Sequence, residues 1–208
     1  TIDTTAPTTT VAFCCITTDS GTLGDYTTND NDGLIVGAGL SAALAEGEKL
    51  YYSNDNGITW IDITSSATGR TVDYFDASLT STKTVQMKVV DASGNYGAAD
   101  TQLITIDTTP STTIVDINSI TDDSGMLGDF ITNDHDGLVV SAALSAALAS
   151  GERLYYSTNG GATWIDITSS VSGTAVSYDD HLLTGTATVE MKVVDAAGND
   201  GAVDAQLV

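Results

Sequence analysis

Cysteine, proline and histidine each occur only twice in this 208-residue chain, and lysine and arginine together only six times. Two adjacent cysteines, Cys14 and Cys15, cannot build a disulfide framework. On a regular strand they would point to opposite faces, one semi-buried and one exposed, and a bridge between them would need a strained ring. The shortage of His and Cys argues against zinc. Neither His135 nor His181 lies in a nucleophile motif, and no glycine-rich phosphate loop is present, so an enzyme reading finds little. No signal peptide or membrane-spanning apolar run appears in these residues, and an internal fragment of a longer protein would not be expected to show one. With so few bases against 28 acids, the formal charge is −22. That charge repels phosphate backbones and anionic lipids, so neither nucleic acid nor membrane insertion is expected, and the expected partner is a cation. No small-molecule substrate is expected either.

What is abundant is repetition. Residues 1–104 and 105–208 align without a gap, and about two-thirds of the positions are identical. Thr1-Ile2-Asp3-Thr4-Thr5 returns as Thr105-Ile106-Asp107-Thr108-Thr109, and Trp60 as Trp164. A period of this length is a whole small domain, not a solenoid coil. The chain is expected to be two units, 1–104 and 105–208, taken from a longer tandem string of identical neighbours. His135 and His181 correspond to Asn31 and Ala77, and the cysteines to Asn118 and Ser119, so none of them belongs to the shared plan.

Each copy is rich in Thr, Val, Ser and Gly, which favours strands and turns. Val85, Met87 and Val89 alternate with polar residues, as do Val189, Met191 and Val193, the pattern of a half-buried antiparallel strand. Further strands are expected near 8–16, 33–40, 48–53, 59–64, 71–75 and 99–106. The Ala-rich runs 41–46 and 145–150 could each form one helical turn. Short strands with turns between them predict an all-β protein: two tandem immunoglobulin-like β-sandwiches arranged end to end.

The acids are mostly Asp: only four of the 28 are Glu. Asp suits turns and short-armed oxygen ligation. Between the first two long strands lie Asp19, Asp25, Asp30 and Asp32, with Asn29 and Asn31 among them. Copy two repeats this with Asp123, Asp129, Asn133, Asp134 and Asp136. Carboxylates this close repel one another unless a cation neutralises them, and Ca²⁺ takes six to eight such hard oxygens. An EF-hand fails: with Asp30, Asp32 and Gly33 at loop positions three, five and six, Thr28 and Gly39 fall where acids are required. The bland alternative is a solvated loop of Asx turns.

A second acidic element is Asp91-Ala92-Ser93-Gly94-Asn95, repeated as Asp195 to Asn199. It precedes the last strand, so it is the F–G loop of the sandwich. In this topology it lies at the end where strand A begins, opposite the A–B loop. End-to-end stacking would bring Asp19 or Asp25 of copy one, Asp107 of the linker, and Asp195 and Asn199 of copy two to one junction. A third element, Ser53-Asn54-Asp55-Asn56-Gly57-Ile58-Thr59-Trp60, matches the S-x-D-x-G-x-T-W hairpin called the Asp-box, a structural turn with Trp beneath it. Copy two has Asn159 in place of Asp55. In the pairs Tyr51/Tyr52 and Tyr155/Tyr156, one side chain should be buried and the other exposed.

Asp3-Thr4-Thr5-Ala6-Pro7 at the start, Val89-Val90-Asp91-Ala92-Ser93-Gly94-Asn95 before the last strand, and the Thr/Asp-rich A–B loop resemble bacterial Ig-like repeats. More narrowly, they resemble the extender repeats of giant calcium-dependent repeats-in-toxin adhesins, including the biofilm and ice-binding types. The resemblance covers both copies. It implies an extracellular, cell-surface spacer exported by type I secretion, with calcium at domain junctions. It implies Asp3, Asp91 and Asn95 as ligands towards a preceding copy, and Asp107, Asp195 and Asn199, with Asp19 and Asp25, at the internal junction. Copy two departs at the linker, where Pro110 and Ser111 replace Ala6 and Pro7. An alternative from another class is a glycan- or protein-binding module, which needs an exposed aromatic or apolar patch on both copies.

Overall fold

The computed structural model describes residues 2–208. It divides into two compact units, Thr1–Thr108 and Thr109–Val208. The last strand of unit 1 runs beyond residue 104 to Ile106, which carries the compact unit past the repeat boundary read from the sequence.

Among the described residues, unit 1 contains nine strands: β1 (Val11–Ile16), β2 (Thr27–Thr28), β3 (Leu34–Leu40), β4 (Lys49–Ser53), β5 (Ile61–Asp62), β6 (Ala67–Thr68), β7 (Thr71–Asp76), β8 (Lys83–Val90) and β9 (Asp100–Ile106). They form two sheets, in the orders β1-β3-β7-β6 and β2-β9-β8-β4-β5. With β1, β3, β4, β6, β7, β8 and β9 as strands A, B, C, D, E, F and G, these orders are A-B-E-D and G-F-C, the immunoglobulin arrangement. Unit 2 repeats it with β10 (Val115–Ile120), β11 (Leu138–Leu144), β12 (Arg153–Ser157), β13 (Ile165–Asp166), β14 (Val171–Ser172), β15 (Ala175–Asp180), β16 (Thr188–Val194) and β17 (Asp200–Leu207). Its sheets run β10-β11-β15-β14 and β13-β12-β16-β17. The chain is therefore all-β, with two β-sandwich domains.

The inward side chains of each pair of sheets make one core per unit. In unit 1, Leu34, Val36, Leu50, Tyr52, Val72, Val85, Met87 and Ile104 are fully buried. Val85, Met87 and Val89 face inwards together, as the alternation requires. Each large apolar side chain sealed in this way contributes roughly 1.5–3 kcal/mol.

Three local expectations are corrected. The Ala-rich runs are bends and turns, not helical turns. Glu48 folds back instead, its carboxylate accepting from the Ala45 amide at 2.8 Å while its own amide donates to the Ala45 carbonyl at 3.0 Å. Six residues are too few to nucleate a helix against that competition. The strand expected over 59–64 shrinks to Ile61–Asp62. There the Asp62 carboxylate captures the Thr64 amide and hydroxyl, turning the chain into a 3₁₀ turn at Thr64–Ser66.

The third correction concerns the cysteines. Phe13 pairs with Ala38 and Cys15 with Gly37, so Cys14 is the extra residue of a β-bulge. Both thiols are consequently exposed on one side, with the sulfurs 3.1 Å apart. A Cβ on Gly37 would stand 2.5 Å from the Cys15 sulfur, so glycine is what leaves room for the pair. Unit 2 keeps the bulge between Ile117 and Ser119 without either thiol, and has Ser141 in place of Gly37.

Candidate functional site: the acidic loops

The A–B loop of each unit is held by hydrogen bonds from its own hydroxyls and carboxylates. In unit 1, the Thr28 hydroxyl donates to the Thr18 carbonyl at 2.5 Å, and the Asn29 amide donates to the Ser20 hydroxyl. Thr132 and Asp122 make the same closure in unit 2, as do Asn133 and Ser124. Asp25 accepts from the Thr27 amide, and Asp129 from the Ile131 amide. Tight closure leaves strain: Thr18 and Tyr26, and their counterparts Asp122 and Phe130, have φ between 54° and 60°. For an aromatic residue that left-handed conformation is costly and persists only when its surroundings impose it.

Asp19 lies at the centre of this closure. One of its carboxylate oxygens, Oδ2, accepts from the Gly24 amide at 2.6 Å. The other, Oδ1, is sealed from solvent and has no hydrogen-bond partner. Asp123 repeats both features, with Gly128 at 2.6 Å and an unpartnered, sealed Oδ1. An anionic oxygen in that condition costs several kcal/mol unless a positive charge reaches it. Farther along, the Asp32 amide donates to Asp30 at 3.2 Å, and Asp136 to Asp134 at the same distance. Hydrogen bonding to Asp30 and repulsion by its charge push the Asp32 carboxyl above its usual range, and Asp134 does the same to Asp136. Backbone and side-chain hydrogen bonds from Asp136 hold Asp134 low.

The F–G loops are self-satisfied. Oδ1 of Asp91 accepts from the Ser93 and Asn95 amides, both at 2.8 Å, and its Oδ2 accepts from the Asn95 side-chain amide at 2.9 Å. These bonds, that from the Asn95 side chain foremost, hold the Asp91 carboxyl below its ordinary range. The Asn95 side chain also donates to the Asp3 carbonyl, so Asp3, Asp91 and Asn95 do meet. In unit 2, Asn199 donates to Asp195 and to the Thr109 carbonyl. Asp107 lies beside the A–B loop of unit 1, its amide donating to the Thr28 carbonyl at 2.9 Å. Among the described residues, no three His, Cys, Asp or Glu side chains stand together so as to hold a metal ion by themselves.

The Asp-box behaves as a turn. Asp55 accepts from the Thr59 amide and hydroxyl and from the Ser53 hydroxyl, and the Trp60 indole donates to the Gly57 carbonyl. Asn159 preserves the turn by accepting from the Thr163 amide and donating to its hydroxyl. Tyr52 and Tyr156 are buried, while Tyr51 and Tyr155 are only half-buried rather than exposed. The exposed aromatics Phe75 and Tyr96 have Asp179 and Asp200 as counterparts, so neither is shared by the copies.

Two sets of residues were missed from the sequence. Asp100 on β9 accepts from the amide of Phe13 at the β1 bulge at 2.7 Å, and Asp204 does the same for Ile117. Asp76 and Asp180 are buried acids receiving the Tyr52 and Tyr156 hydroxyls at 3.0 Å. The available signal was that all four recur at equivalent positions of the repeat, outside the loops where the other acids gather.

No family model matches the chain, and neither does any curated protein. Solved structures do match. A two-domain fibronectin type-III segment of chicken tenascin is 12% identical, with 86% of this chain and 94% of that one covered and a TM-score of 0.27. A tetra-tandem repeat from the extending region of a large adhesion protein is 14% identical, with 95% and 48% covered and a TM-score of 0.28. Domains 7, 8 and 9 of the S-layer protein SbsC are 15% identical, with 86% and 57% covered and a TM-score of 0.26. The chain thus spans about half of the adhesion-protein array. These superpositions are too loose to transfer a role to any residue. Among the described residues, no helix is long and apolar enough to cross a membrane, which says nothing about β-barrels.

Proposed function

We propose that this chain is a calcium-stiffened structural repeat of a bacterial cell-surface adhesin, a spacer that carries a distal binding domain away from the cell. The observation that carries the reading is the sealed, unpartnered Oδ1 of Asp19 and of Asp123. The same orphan at the same place in both copies is what a cation-accepting loop requires and what a solvated loop avoids. The donor set fits calcium: carboxylates, hydroxyls, amide carbonyls and backbone oxygens, all hard and none sulfur or imidazole. Asp19 and Asp25 in unit 1, and Asp123 and Asp129 in unit 2, are the carboxylates we assign to this role. Asp30, Asp32, Asp134 and Asp136 supply further negative charge in the same loops. Asp3, Asp91, Asn95, Asp107, Asp195 and Asn199 are proposed as secondary ligands at domain junctions, because their oxygens already serve their own loops or linker.

The mechanism is electrostatic and mechanical. Extracellular modules commonly bind calcium at about 10⁻⁴–10⁻³ M, so a loop of this kind fills outside the cell and empties in the cytosol. An empty loop, with its acids unneutralised, keeps the chain loose during export. A filled loop fixes the backbone through which neighbouring repeats connect.

Thermal unfolding in calcium and in chelator tests this. At ten times the dissociation constant, each site stabilises its unit by about 1.4 kcal/mol. That raises the midpoint of a unit of this size by roughly 5–10 °C. D19N should abolish the response of unit 1 and D123N that of unit 2, each leaving the other intact. Small-angle X-ray scattering should show a maximum dimension that grows and sharpens with calcium. Melting curves identical in calcium and chelator would rule the reading out.

A further inference from the structure

Unit 1 carries a pair of thiols that unit 2 does without. On a regular strand, neighbouring side chains point to opposite faces, and two adjacent cysteines could not act together. At the β1 bulge Phe13 pairs with Ala38 and Cys15 with Gly37, so Cys14 has no partner of its own in the ladder. Both cysteines are exposed, and their sulfurs stand 3.1 Å apart.

The facing strand is shaped for the pair. A Cβ on Gly37 would stand 2.5 Å from the Cys15 sulfur and 3.3 Å from the Cys14 sulfur. A cysteine sulfur moves about a single torsion, so a larger residue at position 37 would drive the Cys15 sulfur to another rotamer and away from Cys14. Unit 2 has the same bulge, between Ile117 and Ser119. There the positions of Cys14, Cys15 and Gly37 hold Asn118, Ser119 and Ser141. Across the two copies, the thiols and the glycine come and go together.

The sulfur spacing selects the ligand. A direct S–S bond needs sulfurs about 2.05 Å apart and Cα atoms at least about 4.4 Å apart, whereas successive Cα atoms lie only about 3.8 Å apart. A bridge through one further atom suits the pair better. With bonds of about 2.3 Å from that atom to each sulfur, a separation of 3.1 Å subtends about 85°. A linear two-coordinate ion would need sulfurs about 4.6 Å apart and a tetrahedral one about 3.8 Å, so a pyramidal centre with bonds near a right angle fits best. Among the described residues, no three His, Cys, Asp or Glu side chains gather to hold a metal ion, so the third substituent must come with the ligand. We propose that Cys14 and Cys15 form a dithiol site for a trivalent thiophilic metalloid carrying one substituent of its own, the chemistry of a monosubstituted arsenical. In the binding step an arsenoxide, R–As=O, condenses with both thiols. The As=O bond and two S–H bonds break, two As–S bonds form, and the oxygen leaves with both protons as water. Arsenic stays trivalent, and no oxidant or reductant is needed.

The test uses the intact, reduced chain and phenylarsine oxide, with a monothiol in excess to strip adducts held by one sulfur. Mass spectrometry should show one arsenical per chain, and both thiols should become unreactive together towards a thiol-titrating disulfide. Excess of a small dithiol should release the arsenical and restore both. C14S and C15S each leave one thiol and should bind about 100-fold more weakly, because the second bond is no longer intramolecular. G37S keeps both thiols and gives β3 the serine that β11 already accommodates as Ser141, so the fold is retained. It should weaken uptake about 2- to 10-fold, the cost of forcing a side chain off its preferred rotamer. No uptake by the intact chain, or uptake that either single-cysteine variant matches, overturns the site. Uptake by G37S equal to that of the intact chain overturns the glycine as what holds the pair together.

Discussion

At the scale of single residues, the repeat supplies its own controls. Asp55 and Asn159 occupy the same turn, but only Asp55 titrates. Hydrogen bonds from the Thr59 hydroxyl, then from its amide and from Ser53, hold the Asp55 carboxyl down to about 2, against an ordinary value of 3.8. A folded value below the unfolded one stabilises above pH 3.8, and that contribution is lost as the pH falls towards 2. A carbon-detected titration should find the Asp55 midpoint near 2 and D55N should remove that share of the acid sensitivity. A midpoint at the ordinary value would show that the turn does not favour the anion. A second matched pair lies in the core. Oδ2 of Asp76 accepts from both Tyr52 and Asn54, whereas, among the described residues, Oδ2 of Asp180 accepts from Tyr156 alone. Y52F therefore leaves a buried oxygen one partner and should cost about 0.5–1.5 kcal/mol, whereas Y156F leaves it none and should cost about 1–3 kcal/mol. Equal costs in urea denaturation would contradict this account.

At the scale of elements, the bulge in the first long strand of each unit is the feature that most changes what the side chains do. It frees the Phe13 amide from its ladder, and Asp100 reaches from β9 to satisfy it. That bond ties the two sheets together at the sandwich edge, and Asp204 repeats it in unit 2. D100A should destabilise unit 1 by about 1–3 kcal/mol, because it strands a backbone donor. D100N retains an acceptor oxygen of the same reach and should recover most of the loss. If the two variants melt alike, the side-chain oxygen is not what holds the bulge. The bulge also explains the exposed thiol pair. Burial, then the neighbouring Cys15, push the Cys14 thiol up to about 11, so little of it is thiolate at neutral pH.

At the scale of the whole molecule, a formal charge of −22 makes every cation stabilising to some degree. Simple screening and site binding differ in dose. Sodium chloride acts through a Debye length of about 10 Å at 0.1 M and offers nothing special to a sealed oxygen. Calcium at 1 mM barely alters the ionic strength. The melting midpoints should therefore rise more with 1 mM calcium than with sodium chloride added to the same ionic strength. Magnesium, which demands tighter octahedral geometry and dehydrates reluctantly, should fall short of calcium. A response that follows ionic strength whatever the ion would mean the acids act only as surface charge.

Much of the fold was legible because it depends on local order. The alternation of Val85, Met87 and Val89 marked β8, the 104-residue repeat marked two units, and the Asp-box marked a turn that Asn159 could preserve. Those features come from side-chain period and short-range hydrogen bonding, which neighbours in sequence decide. The rest needed tertiary structure. Cys14 and Cys15 lie on one side because strand pairing skips a residue, and pairing involves a partner far along the chain. Asp100 finds Phe13 across 87 positions, and Tyr52 finds Asp76 across 24, distances at which spacing carries no signal. The acid-rich A–B loop was visible as composition. Which of its oxygens is sealed without a partner was not, because burial of one atom is set by how the closed loop sits on the sandwich.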